Sequence, residues 1–519
     1  MRVTFLAMGT ENISIEYLSA YIKKNSHHKV SLAFDGAMFD DKQYFYNKFL
    51  HRIFDERKRV VELAVASKPD LIAVSVFTDN FHWAVDMAGR IKARTGAPVV
   101  FGGIYPTSVP EKAIAPDPVD MICLGEGEEA MVELLDSMEK GKIDTSIKNM
   151  WFKNNGEIIK NPLRPLLDLT KLPHPDKELF ENYIPIKDCY LTVTVKGCPF
   201  QCTYCSQNFM RRFEKGLGPV LREKTTEQII DELVVMKEKY GYEEVVLMNN
   251  TFAAYEEEAL RFLKLYKEKI GLRFRVMTHP KRLSYKMAKA LKDAGCFRVQ
   301  IGVESMNQET RQKIMKRPET NEEVLAAFEA CDNAGLSYSI DHIFGIPNDT
   351  EEDLKYALRV YSRCKKVVRI TPFWLSYFPK TELVEIAQGM GLLNPDAVDN
   401  INSGNEDVYI ATGSIRDKEQ RKLFKIYTFL FRAVPIMHPR FVDFILKHNL
   451  QQVLKHFPKF ITLSFIDLLV TPVKCDFSAI MYIKFYNFQW MKRLRALFFG
   501  DKDMEKIRKE VCEYEAGKI

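Results

Sequence analysis

Three cysteines in one ten-residue stretch, Lys196-Gly197-Cys198-Pro199-Phe200-Gln201-Cys202-Thr203-Tyr204-Cys205, constrain this chain more than any other feature. Their C-x3-C-x2-C spacing supplies three thiolates to a 4Fe-4S cluster and no fourth. Thiolates are the ordinary ligands of such clusters, and an open coordination position separates a metal site that does chemistry from one that only holds structure. The spacing therefore predicts a catalytic cluster. A structural zinc site is the alternative, but zinc takes four ligands in paired blocks. The upstream His174 and Cys189 stand at no zinc-finger spacing.

With Tyr204 just before the third cysteine, the motif resembles that of the radical S-adenosylmethionine (SAM) enzymes. The resemblance implies that SAM chelates the open iron and is cleaved reductively to a 5′-deoxyadenosyl radical.

At 519 residues the chain exceeds what one core supports, and roughly two to four domains are expected. Seventy-five basic against sixty-nine acidic residues leave a net charge of +6, too slight and scattered to argue for nucleic acid. The other seven cysteines (Cys123, Cys189, Cys296, Cys331, Cys364, Cys475, Cys512) fall singly in apolar or helical stretches and read as buried reduced thiols. The N-terminal apolar run is too short for a secretory signal and reads as a first β-strand, which with an oxygen-labile cluster points to the cytoplasm.

Residues 1–140 alternate apolar runs (Val3–Met8, Lys29–Phe34, Leu71–Phe77, Pro98–Phe101, Met121–Leu124) with helical stretches, one of them a long helix ending near Ser67. This predicts a Rossmann-like, doubly wound α/β domain, which binds ligands beyond the C-terminal ends of its strands. Small residues gather there: Gly9, Ser75, Thr78, Gly102, Gly103, Gly125 and Gly127, with Glu126 among them. The pattern from Val99 to Thr107 and from Asp120 to Glu128 resembles the cobalamin-binding domain fused to one large class of radical SAM enzymes. That likeness makes these residues cobalamin-binding candidates. Asp35-Gly36-Ala37-Met38 lacks the cobalt-ligating histidine found in mutases and methionine synthase; His82 is the nearest alternative, and a flavodoxin-like domain without ligand is the competing reading.

Residues 141–180, with a turn at Lys153–Glu157 and four prolines, read as a linker with a small hairpin. From 181 to 395 six strand–helix units follow, predicting a partial (βα)6 barrel, open on one side. Its active face lies at the strand C-termini, where the cysteine loop falls.

Further residues carry the family resemblance. Glu304, in Gly302-Val303-Glu304-Ser305, matches the signature carboxylate that accepts from the SAM ribose or ammonium. Arg317 matches an arginine suited to a carboxylate, with a solvated helix-end cation as the plain alternative. Asn249 and Asn250 stand where relatives place a carboxylate that receives the SAM amino group. Gly345, in Gly345-Ile346-Pro347, belongs to the element against which adenine packs. Lys380 replaces a glycine in a Pro-Gly-Thr turn and is expected to remodel it. His279 and His342 are candidate substrate acids or bases, against a core role for a strand histidine.

Residues 396–519 are helical in tendency and crowded with aromatic and basic side chains, without a run long enough to span a bilayer. Two readings stand: helices that cap the open barrel, and amphipathic helices making peripheral membrane contact. Either favours a large apolar small-molecule substrate. The resemblance implies an enzyme with a 4Fe-4S cluster, SAM, cobalamin and an external low-potential electron donor, most simply methylating an unactivated carbon. Ring closure or oxidation, as in the anaerobic cyclase of bacteriochlorophyll synthesis, is the second reading. A cobalamin-binding sensor with a relic barrel is the third.

Overall fold

Apolar runs bounded by glycine alternate with capped helices and close into two largely parallel sheets. The computed structural model describes residues 1–41, 45–405, 413–415, 417–456, 466, 469–474 and 478–516. Cys475 lies outside them.

The N-terminal sheet has seven strands. Five are parallel, ordered in space Lys29–Asp35, Arg2–Met8, Leu71–Ser75, Val99–Gly102 and Met121–Cys123. Strand alternation divides their side chains between two buried layers. Val3, Phe5 and Ala7 enter one core; Leu6, Ile72 and Val74 enter the other. The first of these cores continues into the barrel, so the two sheets share apolar packing.

Two expectations are corrected here. The hairpin assigned to a linker, Met150–Asn154 with Glu157–Lys160, extends this sheet as two antiparallel edge strands. The long helix ending near Ser67 is two helices, Lys48–Ile53 and Arg57–Ala66, parted at Phe54-Asp55-Glu56. Glu56 is 8% exposed and holds Arg493 from the far end of the chain at 2.9 Å.

The second sheet has six parallel strands in chain order, Tyr190–Thr192, Glu244–Leu247, Arg273–Thr278, Cys296–Glu304, Tyr338–Phe344 and Val367–Trp374. Its helices start where the sequence supplies caps. Thr225 with Gln228, Thr320 with Glu323 and Thr350 with Asp353 form capping boxes, while Gly241 and Gly335 end helices in the left-handed conformation. Such local signals make the βα units independent of distant contacts.

The C-terminal helices pack in both directions. Lys418–Ala433 covers the last two barrel strands through Phe424 and Phe431, and Trp374 Nε1 donates to Thr428 Oγ1 at 3.1 Å. Ser478–Phe499 and Lys502–Glu515 return to the first domain. There Tyr486 Oη accepts from Phe39 N and Arg59 grips Asp501 and Asp503, while Gln489 donates to Tyr183 O just before the first barrel strand. Lys484, Lys492 and Arg493 pair with Asp188, Asp503 and Glu56. The basic residues of this helix are thus partly spent on internal contacts, and Ile483, Phe498 and Phe499 stay exposed. No helix among the described residues is long and apolar enough to cross a membrane. Of the single cysteines, Cys364 is only half-buried and Cys512 is exposed, unlike the buried thiols expected.

His342 does not reach the barrel mouth. Strand alternation turns it outward, where Nδ1 meets Tyr361 Oη at 2.9 Å and the ring packs on Phe431. Burial pushes its pKa down to about 3. A lowered folded-state pKa means that the neutral ring's stabilisation is present above the unfolded value near 6.5 and is lost as pH falls toward 3. At pH 5 the loss amounts to about 2 kcal/mol. Denaturant unfolding at pH 7.5 and 5.0 checks this, since His342→Phe removes that part of the pH dependence.

Candidate functional site

The cysteine loop leaves the first barrel strand by a turn that only glycine permits. Gly197 has φ +93°, and a Cβ there would lie 1.9 Å from the Val220 carbonyl oxygen. Residues Val195–Lys196 pair antiparallel with Arg222–Glu223, fixing both ends of the segment. Cys205 then caps the helix Ser206–Phe213.

Cys202 is buried, whereas Cys198 and Cys205 are half-buried. Burial pushes Cys205 up to about 12 and Cys202 upward; the nearby Cys198 adds to both and Cys202 to Cys205, so the three side chains lie near one another. Among the described residues, however, they do not form a group whose ligand atoms all lie within 4.8 Å. A single zinc with Zn–S bonds of about 2.3 Å holds its sulfurs about 3.8 Å apart, so the spread donor set suits a larger cluster. The supposed extra zinc ligands lie elsewhere. His174 pairs with Asp231 at 3.2 Å, and buried Cys189 stands beside Arg275 and Glu244, where the barrel strands begin.

Glu304 is the last residue of the fourth strand, held at φ +70°, an unusual conformation for a side chain with a Cβ. Burial pushes its carboxyl up to about 8, against the opposing pull of Arg317. Arg317 is 4% exposed, not a solvated cation. Its Nη1 donates to Tyr204 Oη at 3.1 Å and approaches Cys202 Sγ at 3.7 Å, while Nε donates to Glu319 Oε1 at 2.7 Å. Glu319 escaped the sequence reading, because nothing in its spacing marks it.

The asparagines divide. Asn249 is buried and spends both amide ends on Thr194, accepting from its N–H at 2.9 Å and donating to its Oγ1 at 2.7 Å. Asn250 is exposed and donates to Gly197 O at 3.2 Å. Thr251, between this loop and the cysteines, lies 3.6 Å from Cys198 Sγ. Gly345 takes φ +88° under Ile415 and Phe424; a Cβ would meet Ile415 at 2.6 Å. Lys380 takes φ +59°, the left-handed angle that a glycine adopts without strain. His279 is no free acid or base: Nδ1 accepts from Lys281 N, Nε2 faces Glu319 and burial lowers it to about 4.

Across from this mouth lie the C-terminal ends of the N-terminal sheet. Gly9 ends its strand at φ +85° with open space around the Cβ position. Gly103 turns at φ +104°, 2.9 Å from Val76 O at the Cβ position, near Ser75. Thr107 Oγ1 ties this turn to Gly125 by accepting from its N–H at 3.0 Å, and Gly127 opens the following helix. Thr78 is buried beneath Gly404, and His82 contacts Asn405 at 2.9 Å.

Glu126 points toward the barrel. Its carboxylate takes Lys196 at 3.0 Å, Arg222 at 2.9 Å and the backbone N–H of Leu167 at 2.8 Å; Glu128 adds a second contact to Lys196. Burial would raise Glu126, but the two cations overcome it and hold the carboxyl below its ordinary range. The loop proposed for cobalamin is therefore pinned to the residue preceding the cysteine loop.

Two largely parallel sheets, joined by Glu126 at the base of a three-cysteine loop, define a metal-cluster enzyme with a second cofactor domain. A family model described as the radical SAM superfamily matches residues 192–360, and one described as the B12 binding domain matches residues 6–135. The chain therefore carries a B12-binding domain followed by a radical SAM domain, and the cofactors of these two domains are a 4Fe-4S cluster, SAM and cobalamin.

An uncharacterized methyltransferase of Pyrococcus horikoshii is 27% identical over 339 residues, 63% of this chain and 71% of the relative. The anaerobic magnesium-protoporphyrin IX monomethyl ester cyclase of Rubrivivax gelatinosus is 23% identical over 357 residues, 66% of this chain and 60% of the cyclase. Among solved structures, the cobalamin-dependent SAM radical enzyme OxsB with aqua-cobalamin and SAM bound gives a TM-score of 0.64 at 16% identity, covering 100% of this chain and 81% of that one. The radical SAM methyltransferase TsrM from Kitasatospora setae gives 0.61 at 17% identity, with 75% of each chain covered. These likenesses show the fold.

Substituting Gly197→Ala drives a methyl group into the Val220 carbonyl at a positive φ. Iron per chain after anaerobic reconstitution is expected to fall severalfold, with cobalamin uptake retained. Full iron incorporation would show that the loop tolerates the intrusion.

Proposed function

We propose that this chain is a cobalamin-dependent radical SAM methyltransferase acting on an unactivated carbon of a small-molecule substrate. The observation that carries the reading is the placement of the cysteine loop against the glycine-lined strand ends of the B12-binding domain, tied by Glu126. When bound, the reduced cluster and SAM supply a hydrogen-abstracting radical, and the corrin carries the methyl group.

The chain's own residues hold and shield. Cys198, Cys202 and Cys205 are the proposed cluster ligands. Glu304, its carboxyl raised by burial and standing beside Tyr204, is the proposed hydrogen-bonding partner of a ribose hydroxyl. Asn250 and Gly345 are the proposed neighbours of the amino group and adenine, and Asn249 supports them through Thr194. Gly9, Ser75, Thr78, Gly102, Gly103, Gly125 and Gly127 are proposed to border the corrin, with Glu126 reassigned to anchoring their loop.

The proposed units are 1–140, extended to 160 by the edge hairpin, a connection to 180, the barrel to 395 and the helical region beyond. A cytoplasmic setting and an external electron donor accompany the proposal. Exposed apolar side chains such as Ile483, Trp490, Phe498 and Phe499 are what speaks for membrane contact, and the internal ion pairs favour a packing role for these helices.

Similarity to the anaerobic cyclases supports a second reading without net methylation. SAM labelled as CD3 separates the two. Anaerobic incubation of the holoenzyme with reductant is expected to move the label from SAM to the corrin, giving S-adenosylhomocysteine, by mass spectrometry. Formation of 5′-deoxyadenosine and methionine with no label on the corrin would favour the cyclase-like reading.

A further inference from the structure

We infer that Arg317 is a positioning residue for the cluster, held on the Cys202 sulfur by Glu319 and His279, and not a clamp for the SAM carboxylate. The inference rests on the radical SAM reading of this site and assigns the arginine a different partner within it.

A guanidinium has five N–H donors, and four are committed. Nε goes to Glu319 Oε1 at 2.7 Å, Nη1 to Tyr204 Oη at 3.1 Å and to Cys202 Sγ at 3.7 Å, and Nη2 to the Gly302 carbonyl. A bidentate grip on a carboxylate needs two parallel donors from one edge, and only one donor is left.

Glu319 is 0% exposed, so the orientation of Arg317 is set from behind. Its other oxygen lies 3.0 Å from His279 Nε2, a close ion-pair approach outside hydrogen-bond geometry, and neither atom has a hydrogen-bond partner. Because His279 Nδ1 accepts from Lys281 N, the ring proton sits on Nε2, facing the carboxylate. The same ring stacks on Phe200 with centroids 3.7 Å apart and planes 14° apart. Phe200 lies between Cys198 and Cys202 in the loop. His279 thus touches the loop twice, directly through Phe200 and indirectly through Glu319 and Arg317.

Hydrogen bonds and positive charge at a ligating sulfur stabilise the more negative, reduced state of an iron–sulfur cluster and raise its reduction potential. Arg317 is placed to do this at Cys202, and the two buried residues behind it keep the fork from turning toward other acceptors.

The test is an EPR-monitored redox titration of the reconstituted full-length protein without SAM, alongside iron content and SAM affinity. The midpoint potential is expected to fall in the order wild type, Arg317→Lys, Arg317→Gln, with the SAM Kd of Arg317→Lys within about threefold of wild type. His279→Phe keeps the stacked ring but loses the proton toward Glu319. Its potential is expected to shift downward by less than that of Arg317→Gln, at unchanged iron content. It therefore decides the question if Arg317→Gln binds no cluster. Unchanged potentials in the variants, with a SAM Kd raised tenfold or more, would overturn the inference and return Arg317 to the substrate carboxylate. Failure of the wild-type protein to take up iron would instead sink the radical SAM reading itself.

Discussion

The charged junction of Glu126 with Lys196 and Arg222 is the interaction on which the placement of the two cofactor domains depends. One half-buried carboxylate collects two cations and a backbone N–H from across the domain boundary. A buried ion pair contributes little net stability relative to apolar packing, yet removing one partner leaves the others unpaired at a cost of about 3 kcal/mol or more. The junction therefore specifies position more than it adds stability. Lys196 adjoins Gly197, whose backbone allows no side chain, so the register fixed by Glu126 passes directly into the cysteine loop.

That register gives the site its chemistry. The thiolates sit at the barrel mouth, Arg317 and Tyr204 fill the space beneath them, and Glu304 is strained into view at the end of its strand. Across the boundary lie open glycine turns, including Gly9, where nothing occupies the Cβ position. A domain that offers only small residues and backbone suits a broad, flat ligand, whereas the barrel offers discrete polar groups.

Both sheets were legible in the sequence because their signals are local. Alternating apolar runs, threonine capping boxes and C-terminal glycines act within one βα unit. The three cysteines were legible for the same reason. What escaped depends on side chains far apart in the chain. Glu126 looks like part of a glycine-rich turn until Lys196 and Arg222 arrive, 70 and 96 residues later. Glu319 carries no motif, and His279 looks like a free base until Phe200 and Glu319 enclose it. Lys380, where a glycine is usual, nonetheless takes the left-handed angle of φ +59°. The return of the last two helices to the first domain, through Arg59 and Phe39, is likewise invisible to any local pattern.

The most direct measurement is metal and chromophore analysis of protein purified and reconstituted without oxygen. The account predicts about four irons and four sulfides per chain, lost on changing Cys202 to alanine, together with about one corrin that survives that change. Stoichiometric zinc at the cysteine loop with no iron, or loss of corrin and iron together in the alanine variant, would contradict it.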